Sequence, residues 1–236
     1  QQLPAEDMQA VEQTFKRLAR HVKNPEIGNE DWRYPVYVIF SSQSGLLHQY
    51  GEQTAQIILK EMDQLAAAYN RTHGWEGMVF LPDDSSICSR VGLSPIPVLP
   101  GENLSDPWKL KLALVDLDTA LMKRGKMIGA VLIVGGPEVI PFHRLPNPAD
   151  DSDLEVLSDN PYATLDSNYF IPEWPTGRLA GEAGSDAGLL LGQIRQQTRL
   201  YGRHGKPKRS FDGLMRLKDW FSHLFSKKNG IQATGY

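Results

Sequence analysis

Three short apolar runs, separated by long amphipathic stretches, are the feature of this sequence that most constrains its fold. The runs are YPVYVIFSS at 34–42, EGMVFLPDD at 76–84 and MIGAVLIVGG at 127–136. Short runs rich in β-branched and aromatic residues and bounded by Pro, Gly or Ser are typical of strands. Strands that alternate with helices predict an α/β protein whose central sheet is mainly parallel and buried between helices.

The helices of this core are predicted from apolar residues that share one face. The first covers residues 50–72. A second begins at Asp106-Pro107, because a carboxylate is preferred at the N-cap and proline in the first helical turn. A third helix is capped by Ser185 or Asp186.

Two further amphipathic segments flank this core. Apolar residues three or four apart predict a helix from Pro4 to about Val22. Its apolar stripe comprises Met8, Val11, Phe15, Leu18, Ala19 and Val22. A shorter helix is predicted at 211–225, after a basic link. We therefore expect an amino-terminal helix or extension over residues 1–30 and one domain, or the amino-terminal part of one, over residues 31–236.

Charge is unevenly distributed along the chain. Its 25 Lys and Arg against 28 Asp and Glu give a net charge of −3, which argues against nucleic-acid or membrane-surface binding as the main role. No Lys or Arg lies between Leu145 and Thr176, where seven carboxylates fall, namely Asp150, Asp151, Asp153, Glu155, Asp159, Asp166 and Glu173. Residues 203–228 are basic instead. The simplest interpretation is two solvated faces.

The acidic stretch also suits a hard cation, because carboxylate and carbonyl oxygens are the ligands that calcium prefers. It does not match the twelve-residue calcium-loop pattern. Calcium is therefore the one cofactor that the sequence leaves open, and no other is expected.

A single cysteine, Cys88, excludes a disulfide or a cysteine-based metal site within these residues. A nucleophilic thiolate needs a nearby histidine or another source of positive potential. The segment SSICSRVG offers only Arg90 close in sequence, so an inert, partly buried thiol is predicted. The six histidines show no pair at metal-ligand spacing, and His204 in RHGKP is interpreted as a linker residue.

The sequence favours a soluble protein. Its first residues lack the basic region and apolar core of a signal peptide, and no apolar run is long enough to span a bilayer. We expect a cytoplasmic location, or secretion if a leader has been removed.

Three loops are expected at the carboxyl edge of the predicted sheet, where α/β proteins bind their ligands. They cover residues 41–48, 82–89 and the irregular region 135–178. The first, SSQSGLL, has the hydroxyl and glycine content of a phosphate-binding loop but lacks the glycine spacing and the lysine. We interpret it as the turn that begins a helix, and a flavodoxin-like small-ligand site stays open as an alternative.

Motifs between Met127 and Tyr201 have a characteristic order. GAVLIVGG is followed by Ile140-Pro141, by SDNPYATLDSNYFIPEWPTGRL at 158–179, and by a helix that leads to RLYGR. This order resembles the gingipain-type family of cysteine peptidases within the caspase-like clan. That family shows an apolar strand ending in Gly-Gly or Gly-Asp, an Ile-Pro pair, an acidic loop with an Asp-Asn-x-Tyr core, and Pro-x-x-x-Gly-Arg-Leu before a helix.

The resemblance implies a three-layer caspase-like α/β fold, with a mainly parallel central sheet and helices on both faces, incomplete in this chain. In the family, a His-Gly pair and then the catalytic cysteine follow later strands. The resemblance puts both beyond Tyr236, so no catalytic residue is expected here. Asp159, Asp166 and Tyr169 are expected to bind substrate or to fix the loop. Gly136, where many relatives carry aspartate, departs from the pattern.

The function implied is the amino-terminal part of a gingipain-like cysteine endopeptidase, which supplies the sheet scaffold and a substrate-cleft loop. Its partners would be the carboxyl-terminal part of the same protein and a protein or peptide substrate. If the acidic loop lines the specificity pocket, charge complementarity favours a basic P1 residue. The alternative is a non-catalytic caspase-like interaction or regulatory module.

Overall fold

The computed structural model describes residues 33–71, 75–147, 153–166, 169 and 171–204. The predicted helices at 4–22 and 211–225 lie outside these residues, as does the expected extension over 1–30.

The described part of the chain contains six strands, four α-helices and one 3₁₀ helix. In chain order they are β1 (Tyr34–Phe40), α1 (Gln43–Tyr69), β2 (Glu76–Phe80), α2 (Ser85–Val91), α3 (Pro107–Met122), β3 (Lys126–Val134), β4 (His143–Pro146), β5 (Glu155–Ser158), the 3₁₀ helix (Asn160–Ala163), β6 (Thr176–Leu179) and α4 (Gly188–His204).

The central sheet has the order β2-β1-β3-β6, and all its strands are parallel. Strand β3 is buried from Ile128 to Val134, as expected for an inner strand covered on both faces. The chain is therefore an α/β protein with a mainly parallel central sheet, as predicted. Within the described residues, β6 pairs with a neighbour on one side only.

The crossovers between strands distribute the helices over both faces of the sheet. The chain moves outward from β1 to β2 and returns past β1 to β3, so right-handed crossovers set α1 and α3 on opposite faces. On the α1 face, the Tyr69 ring lies 3.8 Å from that of Tyr37 in β1 and 4.1 Å from that of Tyr201 in α4. Helix α3 covers the other face with a buried stripe of Leu110, Leu114, Leu117 and Leu121.

Helix α1 starts earlier than the pattern predicts. Ser42 caps it by accepting a hydrogen bond from the Gly45 amide at 3.1 Å, so the helix begins at Gln43 and not at residue 50. Gly51, at a φ of +74°, breaks the helix after its first two turns. Because that break interrupts the apolar spacing, sequence periodicity detects only the part that follows it.

The region 135–178 is more regular than the expected loop. Strands β4 and β5 form an antiparallel hairpin, in which His143 pairs with Ser158 and Pro146 with Glu155. The 3₁₀ helix follows, and the region ends in β6, the fourth strand of the main sheet. Helix α2 was not predicted from the sequence. Asp84 caps this helix by accepting hydrogen bonds from the Ser86 and Ile87 amides.

Candidate functional site

The described residues between β3 and β6 lie at the carboxyl edge of the sheet, and we call this region (141–175, as far as the structure describes it) the acidic lobe. Its buried anchor is Tyr162, whose ring lies 6.0 Å from that of Phe40 at the carboxyl end of β1. The Tyr162 hydroxyl donates to the Pro141 carbonyl at 2.7 Å, and the Trp174 indole donates to the Tyr162 carbonyl at 3.0 Å. Aromatic side chains thus hold the lobe against the sheet.

Arg178 in β6 connects the separate motifs of this region. Its Nε and Nη2 donate to the two carboxylate oxygens of Asp159 at 2.8 and 2.5 Å. Its Nη1 donates to the carbonyls of Gly135 and Ile140 at 2.9 and 2.8 Å, and the guanidinium lies 4.5 Å from the centre of the Phe142 ring. One nearly buried side chain therefore joins the turn after β3, the 3₁₀ helix and β6.

The three residues predicted to bind substrate lie in different settings. Asp159 has both oxygens bound by Arg178 and is 24% exposed, so its observed contacts fix the loop. Asp166 is exposed, and Tyr169 is half-buried with its sequence neighbours outside the described part of the chain. Substrate binding by any of them stays a prediction.

A buried lysine holds the turn that carries Asp166. The Lys111 ammonium, from α3, donates to the backbone carbonyls of Leu165 and Asp166 at 3.1 and 2.5 Å. Burial lowers the pKa of Lys111, whereas the Asp166 charge acts in the opposite direction. The exposed Asp166 therefore lies on a stretch of backbone that is held in place by a side chain of α3.

His143 in β4 is a buried residue of the lobe that sequence reasoning missed. Its ring is fully buried, with the rings of Trp108 and Tyr162 each 4.6 Å away in edge-to-face geometry. Neither ring nitrogen has a hydrogen-bond partner among the residues that the structure describes. Burial lowers the pKa of His143 to about 4. The Asp159 charge raises this pKa and the Lys111 charge lowers it. The imidazole is therefore neutral at pH 7. Buried and exposed residues alternate along β4, and His143 lies on the buried side of that strand.

The amino terminus of α1 is already occupied by a carboxylate. Asp83 accepts from the Gln43 and Ser44 amides at 2.8 Å each, and from the Ser42 and Ser44 hydroxyls at 2.8 and 2.6 Å. These are the donors that a phosphate would use at a helix amino terminus. SSQSGLL is thus a helix-starting turn with an internal anion, which argues against the flavodoxin-like alternative.

The crevice between the carboxyl ends of β1 and β3 is filled. In sheets of this topology a small ligand binds at that switch point. Here the Ser41 hydroxyl donates to the Val134 carbonyl at 2.7 Å, and a Cβ added to Gly45 would lie 2.6 Å from the Val139 carbonyl oxygen. The turn after β3 therefore packs directly on the first turn of α1.

Cys88 is a structural thiol. It is 1% exposed, and its Sγ lies 3.5 Å from both the Leu81 and the Pro82 carbonyl oxygens, to which it donates. Burial raises the pKa of the thiol, and the Asp84 charge raises it further. It lacks the positive surroundings that a nucleophile needs, in agreement with the inert thiol predicted.

Two cavities lie away from the acidic lobe, toward β2. One, of about 510 Å³, is bordered by apolar residues that include Cys88, Ile96 and Leu112. The other, of about 410 Å³, is lined by residues that include His48 and Asp83. Neither contains a residue of the motifs that carry the resemblance.

The residues that the structure describes form no metal centre. Nowhere in the described ranges do three or more His, Cys, Asp or Glu side chains come close enough to hold a metal ion. Asp150 and Asp151 lie outside those ranges. The expectation of calcium therefore stays a prediction.

Comparison of the chain with protein-family models, curated proteins and solved structures found no match. The class of protein is therefore defined by the fold itself, an α/β structure with a mainly parallel four-stranded sheet. That architecture is compatible with a caspase-like three-layer fold. In the described part of the chain, no helix is both long enough and apolar enough to cross a membrane.

Proposed function

We propose that this chain is the amino-terminal part of a gingipain-like cysteine endopeptidase. It supplies the sheet scaffold and one wall of the substrate cleft, and the histidine and cysteine of the dyad lie beyond Tyr236. In this proposal, the carboxyl-terminal part of the protein supplies the nucleophile and the general acid and base, and the acidic lobe orients the substrate.

The observation that carries the proposal is the set of contacts made by Arg178. The resemblance rests on a glycine pair after a strand, an Ile-Pro pair, an Asp-Asn-x-Tyr core and a Gly-Arg-Leu end. Arg178 touches the first three through Gly135, Ile140 and Asp159. Sequence motifs that serve one site are expected to meet in space, and these meet at the sheet edge where α/β proteins bind ligands.

The one-sided pairing of β6 supports the same proposal. Among the described residues, β6 is one of the two edge strands of the sheet, and β2 is the other. An unpaired parallel edge normally needs cover or a further strand. The second part of a peptidase domain would add that strand and bring its loops beside the acidic lobe.

The proposed substrate is a polypeptide with a basic P1 residue, and Asp166 is the carboxylate we assign to its recognition. Asp166 is exposed on a turn held by Lys111, and Asp159 is less exposed, with its two oxygens bound by Arg178. Opposite charge across such a contact contributes to specificity. In this assignment Asp159 is a positioning residue.

The experiment is a peptide-library assay of the complete protein encoded by the full reading frame. We expect cleavage after Arg or Lys and inhibition by thiol alkylation. Asp166→Asn is expected to lower kcat/KM for basic P1 residues by about 10- to 100-fold, the range for losing one charged contact. Glu155→Gln, another exposed carboxylate of the lobe, serves as the matched control and is expected to leave kcat/KM unchanged.

Two further variants test where the chemistry resides. Cys88→Ser in the complete protein is expected to retain activity, and the 236-residue chain alone is expected to show none. Preference for acidic or apolar P1 residues would contradict the assignment of Asp166. A reading frame without a later His-Gly and a later cysteine would instead support the non-catalytic interaction module.

A cytoplasmic location accompanies the proposal. It is supported by the single cysteine, since secreted domains often rely on disulfides. Fractionation of cells that express the complete protein tests it, and recovery of the protein outside the cytoplasm would contradict it.

A further inference from the structure

Helix α3 carries a second apolar stripe on its solvent-facing side. Leu112 and Met122 are 55% and 52% exposed, and Trp108 is 45% exposed. Together with Val115 and Thr119 they repeat at intervals of three and four residues, which puts them on one face of the helix. This face is opposite the leucine stripe that packs on the sheet. A helix that is apolar on both sides normally has a second packing partner.

We propose that residues 4–22 of the same chain form the helix that covers this stripe of α3. The apolar residues of that segment, from Met8 to Val22, span about 21 Å as a helix. The exposed stripe from Trp108 to Met122 spans the same about 21 Å. The two stripes therefore match in length and in repeat.

The way the chain enters β1 supports this occupant. Arg33 forms an ion pair with Asp118 of α3 at 3.7 Å, and the Tyr34 amide donates to the Gly125 carbonyl at 2.9 Å, just after α3 ends. The chain thus arrives at β1 beside the second half of α3. Residues 23–32 reach at most about 33 Å when extended, enough to place the segment along α3 in either direction.

Other exposed apolar side chains are less suited to this segment. Leu189 and Leu200 are exposed on α4, and Ile57 on α1. These helices lie on the opposite face of the sheet from the Arg33–Asp118 pair. To reach them, the segment would have to turn around the amino edge of the sheet.

Hydroxyl-radical oxidation of Met122 tests the proposal in the full chain. We expect Met122 to be protected in the wild type and to lose that protection in Phe15→Asp, which puts a charge in the centre of the stripe. Gln13→Asp adds the same charge on the opposite side of the predicted helix and is expected to leave Met122 protected. Met62, which is fully buried on the core-facing side of α1, reports whether the fold is intact.

The result that overturns the proposal is an equal oxidation rate of Met122 in the wild type, Phe15→Asp and Gln13→Asp. Equal protection would mean that something else covers the stripe, and equally fast oxidation would mean that nothing does.

Cross-linking gives an answer that does not depend on how the charged variant folds. In a Cys88→Ser background, Phe15→Cys with Val115→Cys pairs the centres of the two stripes, whatever the direction of the helix. We expect a short bismaleimide to link them within one chain, and to link Gln13→Cys with Val115→Cys far less. Links only between chains would identify a second copy as the occupant and contradict the proposal, as would the absence of a link.

Discussion

Arg178 and Asp159 form a two-point ion pair, in which the guanidinium Nε and Nη2 each donate to one carboxylate oxygen. The pair joins β6 to the acidic lobe, and the Arg178 side chain is only 8% exposed. Bidentate pairs of this kind are geometrically specific as well as strong.

Removing the negative partner is expected to destabilise the fold. In Asp159→Asn a nearly buried guanidinium loses its counter-charge, and we expect the free energy of unfolding to fall by about 2–4 kcal/mol. Urea unfolding followed by circular dichroism measures it. The matched control is Glu155→Gln, because Arg144 and Glu155 are 72% and 52% exposed and such pairs contribute less than about 1 kcal/mol. Equal losses in both variants would show that burial does not strengthen the Arg178 pair.

His143 is expected to make the fold acid-sensitive. Its pKa is about 4 in the folded protein against an ordinary value of 6.5, because burial disfavours the imidazolium. As the pH falls from 6.5 to 4, the unfolded chain binds a proton that the folded chain does not. This proton uptake is expected to remove about 3 kcal/mol of stability over that range.

His143→Phe tests this dependence, because phenylalanine keeps an aromatic ring between Trp108 and Tyr162 but does not titrate. Urea unfolding is measured at several pH values between 7 and 4. We expect a shallower loss of stability in the variant, and the difference between the curves removes the common contribution of the carboxylates. Parallel curves would mean that a partner stabilises the protonated ring.

Asp83 is expected to act as an internal substitute for a bound anion. In Asp83→Ala two amides and two hydroxyls at the start of α1 lose their acceptor, which is expected to cost about 1–3 kcal/mol. Inorganic phosphate should then raise the unfolding midpoint of the variant more than that of the wild type. Asp84→Ala is the control, since it removes only the cap of the short helix α2 and should show no phosphate effect. The same phosphate response in Asp83→Ala and the wild type would contradict the prediction.

Two glycine substitutions are expected to change the free energy of unfolding in opposite directions. Gly45→Ala would place a Cβ 2.6 Å from the Val139 backbone oxygen, so the turn after β3 must move, at a cost of about 1–3 kcal/mol. Gly192→Ala lies in the second turn of α4, with nothing within 4 Å of the added carbon. Alanine is the better helix former there and should add about 0.5–1 kcal/mol. Thermal unfolding of both variants measures the difference, and a neutral Gly45→Ala would mean that the contact with Val139 yields easily.

The sequence predicts the main layers of this fold because their signals are local. The apolar runs of β1, β2 and β3 and the cap and proline of α3 are each contained within a few residues. Strand β6 has no such signal, since Thr176-Gly177-Arg178-Leu179 resembles a turn until its pairing with β3 is known. Its strand character comes from tertiary contacts, which short-range patterns do not report.

The candidate site divides in the same way. Large aromatic residues such as Tyr162 and Trp174 are a local signal for an ordered region, and both side chains are buried. The partner of Asp159 could not be predicted, because Arg178 reaches it only after β6 has joined the sheet. The isolation of His143 could not be predicted either, since it depends on side chains from α3 and the 3₁₀ helix that surround it.

The neighbours β3 and β6 are separated along the chain by the whole of residues 135–175. Closing a loop of that length loses entropy before any new contact compensates for it. Arg178 finds its acceptors only when the turn after β3 and the 3₁₀ helix are both in position. We therefore expect β6 to join the sheet late in folding, in one cooperative step with the docking of the acidic lobe.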